Sequence, residues 1–238
     1  MKRARPLIFI FVGFMLSLPS QAQNDNLSSI EVISSAGVFE SAFMIRPEGR
    51  YKKVHGSPYL NEAWLSGLIW LDGDTVAGKY LMRYNVYGNE MQFIHKQDTF
   101  AVSNPLLIDR IQLGNQVFEY LAFIHRDNQS IAYFEVLEEG FFRLLVRHRV
   151  RLLRGKEPVT PYHSQNQYDR FVTGSTYYIQ HHGDAIPVEV PKKKADWIKL
   201  AGLNGGKFKS FLHSEKIRLQ KKDDIIKTLK YLNELEGS

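Results

Sequence analysis

From Ile30 to Val190 the apolar residues recur with a period of two. Over 75–87, Val76, Gly78, Tyr80, Met82, Tyr84 and Val86 share one face. Thr75, Lys79, Arg83 and Asn85 share the other, with Ala77 and Leu81 between them. Over 141–153, Phe142, Leu144, Val146, His148, Val150 and Leu152 alternate with Phe141, Arg143, Leu145, Arg147, Arg149, Arg151 and Leu153. Successive side chains of a strand point to opposite faces, so this alternation predicts strands with one buried face. Turn pairs punctuate the pattern: Asp72-Gly73, Gly88-Asn89, Gly114-Asn115, Asp127-Asn128 and Glu139-Gly140. Gly, Asn and Asp adopt positive φ at little cost and suit tight hairpins, whose strands run antiparallel. The expected fold is mainly β, an antiparallel meander of about ten to twelve strands, wide enough to form a curled sheet or open barrel.

Two stretches interrupt the alternation. Residues 47–63 and 154–170 are long, polar and contain proline, the character of loops that often carry function. Beyond Pro191 the period becomes helical. KKKADWIKLAG predicts a short helix ending at Gly202, and KFKSFLHSE puts Phe208, Phe211 and Leu212 at helical spacing. DDIIKTLKYLNEL aligns Ile225, Leu229, Leu232 and Leu235 in one stripe, with Ile226 beside it. Asp223 and Asp224 stand where the helix dipole favours acids. Residues 191–238 are therefore expected to form a short C-terminal helical segment packed on the β domain of residues 30–190, as a lid or brace.

The N-terminus follows a different rule. Lys2, Arg3 and Arg5 precede the apolar run Leu7 to Leu18, and Ser20-Gln21-Ala22 places small residues at the −3 and −1 positions of a cleavage site. This layout predicts a secretory signal peptide over 1–22, followed by a polar, disordered leader over 23–29. The apolar run is too short for a spanning helix, which needs about 20 residues. The mature chain is thus expected to lack a transmembrane segment and to be periplasmic or secreted, soluble or peripherally associated with the envelope. No cysteine follows the run, so a lipoprotein anchor is not expected, and stability must come from burial rather than disulfides. Three of the six net positive charges leave with the signal. The mild excess that remains, and the compartment, argue against nucleic acid. The strand number and aromatic content would allow an outer-membrane barrel, but the expected final element is a polar amphipathic helix rather than a membrane strand.

Motifs for catalysis are mostly absent. There is no cysteine nucleophile, GxSxG elbow, HExxH or metal-ligand spacing. Gly202 to Lys207 lacks the spacing of a phosphate loop, with Ala201 and Phe208 at positions that would need Gly and Ser or Thr, and reads as a helix cap and linker. His181-His182-Gly183-Asp184 reads as a hairpin tip, since adjacent strand histidines face opposite ways. Asp72-Gly73-Asp74 lacks the longer ligand run of a calcium loop. The carboxylates Glu119, Glu135, Glu138, Glu139, Asp169 and Glu189 show no spacing that pairs two in one cleft, as glycoside cleavage requires. No cofactor or metal is implied.

The sharpest feature is a row of arginines. Arg143, Arg147, Arg149 and Arg151 share a strand face and span roughly 27 Å at the rise of a strand. Guanidinium forks match phosphate and carboxylate, so the row is a candidate anion site for a lipid head group, an acidic glycan or an acidic protein partner. The plainer alternative is a solvated face whose arginines pair across strands with acids such as Glu135. Aromatic residues including Tyr80, Tyr84, Tyr133, Phe134, Tyr177 and Tyr178 suit either a core or an apolar ligand groove.

Three stretches carry a resemblance. They are Gly56-Ser57-Pro58-Tyr59-Leu60 with Trp64; Leu81-Met82-Arg83-Tyr84-Asn85-Val86-Tyr87 with Met91 and Phe93; and Lys192 to Leu235. In this order they resemble a group of uncharacterised exported proteins from Bacteroidota, which implies export and a β-rich body and assigns no catalytic residue. In architectural outline alone the chain also resembles periplasmic lipoprotein carriers. The leading expectation is an exported cell-envelope protein acting as a binding or structural module rather than an enzyme. The alternatives are a periplasmic carrier of a lipid or acyl ligand and a hydrolase of envelope polymers.

Overall fold

The computed structural model describes residues 44–45, 51–71, 75–155 and 168–236. The expected signal peptide and leader, the expected Asp72-Gly73 turn and most of the 154–170 stretch lie outside them. Eleven strands form one antiparallel sheet among the described residues. They are β1 (Met44–Ile45), β2 (Leu65–Leu71), β3 (Thr75–Asn85), β4 (Glu90–His95), β5 (Asp98–Ala101), β6 (Arg110–Leu113), β7 (Gln116–His125), β8 (Asn128–Glu138), β9 (Phe142–Leu153), β10 (Arg170–His181) and β11 (Val188–Glu189). Three α-helices follow: α1 (Lys194–Leu200), α2 (Gly205–Ser214) and α3 (Lys222–Glu236).

The spatial order is β1-β5-β4-β3-β2-β6-β7-β8-β9-β10-β11. The chain therefore makes two meanders joined back to back. β2 to β5 run outward in one direction; residues 102–109 then return across them, and β6 starts the second meander on the free side of β2. Two backbone bonds pin the return, from Val102 N–H to Met91 O and from Asp109 N–H to Trp70 O.

The sheet curls so that one face becomes an interior. Ile69, Met82, Tyr84, Met91, Phe93, Ile111, Phe118 and Tyr133 form the core there. Residues 51–60 strap the open side. His55 pairs with Arg170 at the start of β10, and Tyr59 pairs with Asn85 at the end of β3. Tyr51 packs its ring edge-on against both Tyr87 and Phe171, whose own rings are 5.1 Å apart. The strap is held by a stacked cation: the Arg83 guanidinium lies 3.9 Å from the Tyr59 ring and 4.2 Å from the Trp64 ring, and donates to the Tyr59 hydroxyl. Residues of the 56–64 and 81–87 stretches thus meet in one structural device.

The helices cover the other end of the same face. Trp197, Phe208, Leu212, Ile225, Leu229 and Leu232 pack on Phe142, Leu144 and Ile179. Asn233 of α3 bonds both backbone groups of Phe142, accepting from its N–H at 2.8 Å and donating to its carbonyl at 2.9 Å. No helix among the described residues is long and apolar enough to cross a membrane.

Candidate functional site

β8 and β9 pair only at one end. Their register runs Glu135↔Val146, Val136↔Leu145 and Glu138↔Leu144, with a bulge between Val136 and Glu138. A bulge bends and twists its strand. Beyond Glu135 the strands part, and residues 147–153 of β9 keep only β10 as a partner. The fork holds a cavity of about 400 Å³ between Ser130–Ala132 of β8 and Arg147–Arg151 of β9, with Tyr84, Val86 and Asn89 reaching in from the β3–β4 hairpin.

The local chain chemistry explains how β8 survives without its neighbour. Residues of an antiparallel strand direct their backbone groups alternately to the two sides. Ile131 and Tyr133 direct theirs into the fork. Asn89, held at φ 52°, supplies the missing ladder: its side-chain amide donates to Ile131 O at 3.3 Å and accepts from Tyr133 N–H at 3.4 Å. On β9 the same alternation turns the N–H groups of His148 and Val150 into the fork, where no described residue accepts from them.

The cavity is basic. Arg126, Arg147, Arg149 and Arg151 line it together with His125 and His148, and among the described residues no carboxylate lines it. Arg126, Arg149 and Arg151 are exposed, and no acid among the described residues stands within ion-pair distance of them. Arg147 is half-buried with its guanidinium 4.3 Å above the Phe123 ring, on a small cluster of Phe123, Phe134, Leu145 and Tyr178. Burial pushes the Tyr84 and Tyr178 phenols above their ordinary pKa, and the charge of Arg147 opposes both rises.

The arginine row is therefore divided. Arg143 is committed elsewhere: it is paired with Glu119 at 2.5 Å and Glu139 at 2.8 Å, and donates to Gln180. Those partners hold its guanidinium charged against the cost of burial. Arg147, Arg149 and Arg151 remain together, with Arg126 of the β7–β8 turn joining them across the fork. Sequence reasoning missed Arg126, because nothing in a linear pattern shows that two strands part opposite a turn.

Glu135 pairs with none of the arginines. It accepts from His148 Nε2 at 2.6 Å on the interior face. Burial raises its carboxyl pKa, but hydrogen bonds from His148 and Gln116 and the nearby charges of His148 and Lys222 outweigh burial and hold it below the ordinary value. On the far side of His148, Nδ1 is 3.5 Å from the Ser175 hydroxyl. A second cavity of about 300 Å³ opens there, sharing His148, Arg149 and Val150 with the fork. His181 meets Phe141 edge-on with ring centroids 4.4 Å apart, while His182 is exposed beyond it. Among the described residues no three metal-ligating side chains converge. Comparison with known proteins finds no matching family model, no matching curated protein and no matching solved structure.

Proposed function

We propose that this chain is an exported cell-envelope protein that binds an anionic envelope component in the fork between β8 and β9. The observation that carries the reading is the convergence of Arg126, Arg147, Arg149 and Arg151 on a cavity that no carboxylate of the described residues lines. Each exposed guanidinium offers paired donors to a carboxylate or phosphate, and the backbone N–H groups of His148 and Val150 add two more in the same space. Arg147 to Arg151 spans roughly 14 Å at the rise of a strand. That length suits two or three oxyanion groups along a short segment, such as a glycan bearing uronic acids or a phosphorylated saccharide. The N-terminal signal layout supports export, because such ligands belong to the envelope.

The test is binding of an acidic oligosaccharide, a neutral oligosaccharide of the same length and vesicles of anionic phospholipid. The acidic glycan should bind and the neutral one should not. Replacing Arg149 and Arg151 by Gln should weaken binding about tenfold for each lost charge-assisted contact. Arg143→Gln should leave affinity unchanged, because its partners are Glu119 and Glu139. Equal binding by the wild type and the double variant would remove the reading. Vesicle binding without glycan binding would move it to a lipid head group.

A further inference from the structure

We infer that Ser175, His148 and Glu135 form an acyl-transfer site that cleaves small O-acyl esters in the cavity beside the fork. Ser175 and His148 are directly opposed in the β9–β10 register, at a position whose backbone groups turn away from each other, so their side chains approach closely. Glu135 reaches His148 diagonally from its place opposite Val146. A carboxylate held ionised and 2.6 Å from Nε2 makes that nitrogen the N–H donor. With Nε2 donating to Glu135, the lone pair of the neutral ring sits on Nδ1, the nitrogen that faces Ser175. The 3.5 Å separation is the looser spacing common before a substrate draws nucleophile and base together.

The surroundings fit the chemistry. Ser175 is exposed to the cavity, whereas Glu135 is buried behind His148. The β10 edge supplies donors for an oxyanion. Phe171 N–H donates to His55 O, and Tyr177 O accepts from Val190 N–H, so odd-numbered residues of β10 face away from β9. The N–H groups of Thr173 and Ser175 follow the same alternation and meet no acceptor among the described residues.

The reaction balances with water alone. Ser175 Oγ bonds to the ester carbonyl carbon as its proton passes to His148 Nδ1. The carbon–oxygen bond to the alcohol breaks, and the alcohol leaves with that proton. Water then adds to the acyl carbon, giving a proton to Nδ1. The bond to Ser175 breaks, Oγ recovers the proton, and a carboxylic acid is released. A cavity of about 300 Å³ suits a short acyl group, and Arg149 on its shared wall favours an ester carried on an anionic chain. That preference rests on the anion reading above; the acyl transfer does not.

The experiment uses a neutral fluorophosphonate, which needs no arginine, followed by mass spectrometry of the labelled protein and by hydrolysis of p-nitrophenyl acetate. Wild-type protein should carry one adduct, on Ser175, and Ser175→Ala should abolish both the adduct and the hydrolysis. His148→Gln should slow labelling at least ~100-fold. Glu135 is a positioning residue, so Glu135→Gln, which keeps an acceptor for the ring N–H, should retain more reactivity than Glu135→Ala. Circular dichroism should show each variant folded. Absence of labelling in folded wild-type protein, or labelling unchanged by Ser175→Ala or His148→Gln, would overturn the inference. Anion binding is read independently, from the glycan affinity of the wild type and of the Arg149→Gln, Arg151→Gln variant, so failure of anion binding and failure of acyl transfer are distinguished.

Discussion

Asn89 and Asn233 do the same work at two places in the sheet. Each side chain carries a donor and an acceptor in the arrangement of a peptide group, so each can finish a backbone ladder where a strand is missing. Asn233 closes the start of β9, and Asn89 closes the free side of β8. A buried backbone group left without a partner costs ~1–3 kcal/mol. Asn89→Ala should therefore lower the urea unfolding free energy by about that amount, and Asn89→Asp should also destabilise, because the Ile131 carbonyl would meet an acceptor. An Asn89→Ala stability equal to wild type would mean that water replaces the amide fully. Glu135 gives the residue scale its pH signature. Its folded carboxyl takes a proton less readily than the unfolded one, so between the two pKa values the unfolded chain binds more protons and stability rises with pH. This contribution is complete above the ordinary carboxyl range near 4.5 and is lost as pH falls below it. Glu135→Gln should flatten the acid limb of a stability–pH curve. A limb unchanged in that variant would assign the acid sensitivity to other carboxyls.

At the scale of elements, the helical tail is the clearest case of pattern becoming packing. Ile225, Leu229 and Leu232 are buried on the sheet, as the stripe predicts, with Leu235 half-buried at its end. Leu229→Ala should cost ~2–5 kcal/mol, read as a lower denaturation midpoint at constant slope. An unchanged midpoint would contradict docking of α3. The hairpins were legible where Gly or Asn supplied positive φ, as at Gly114. Two were not. The β4–β5 turn uses Lys96 and Gln97, at φ 47° and 75°, and carries no turn residue for a reader to find. The β7–β8 turn uses Arg126 and Asp127, one position earlier than Asp127-Asn128 suggests. Here strand pairing on both sides imposes a conformation that the local sequence does not favour. The face assignment of β3 also has exceptions. Asn85, read as polar and outward, is fully buried, held by Glu90 and Tyr51, while Val76 on the apolar face is half exposed. Partners 34 residues away in the chain leave no trace in a period of two.

At the scale of the whole molecule, the curl and the mainly β body were readable from alternation and turn spacing, whereas the back-to-back order of the two meanders was not. A return over three strands depends on which edge of β2 stays open, a property of the assembled sheet. The candidate site was readable to the same depth. Four arginines on one face of β9 are a fact of sequence; that Arg143 is neutralised by Glu119 and Glu139 while the others line a fork depends on which strands are neighbours and where they separate. His148 was visible as a lone histidine on an apolar face. Its partners on two flanking strands appear only once the register is known. Strand separation, rather than a loop motif, creates the fork cavity, and the anion reading stands on that separation.

The central claim is tested most directly by the affinity of the folded protein for an acidic oligosaccharide, measured at ~0.05 M and at ~0.15 M salt. The fork places exposed arginines in solvent, so binding should weaken severalfold as the screening length shortens toward 8 Å. The Arg149→Gln, Arg151→Gln double variant should bind more weakly at low salt and show a shallower dependence. Affinity that is the same at both salt concentrations, or the same in wild type and double variant, would contradict the account and leave the arginines of β9 as a solvated strand face.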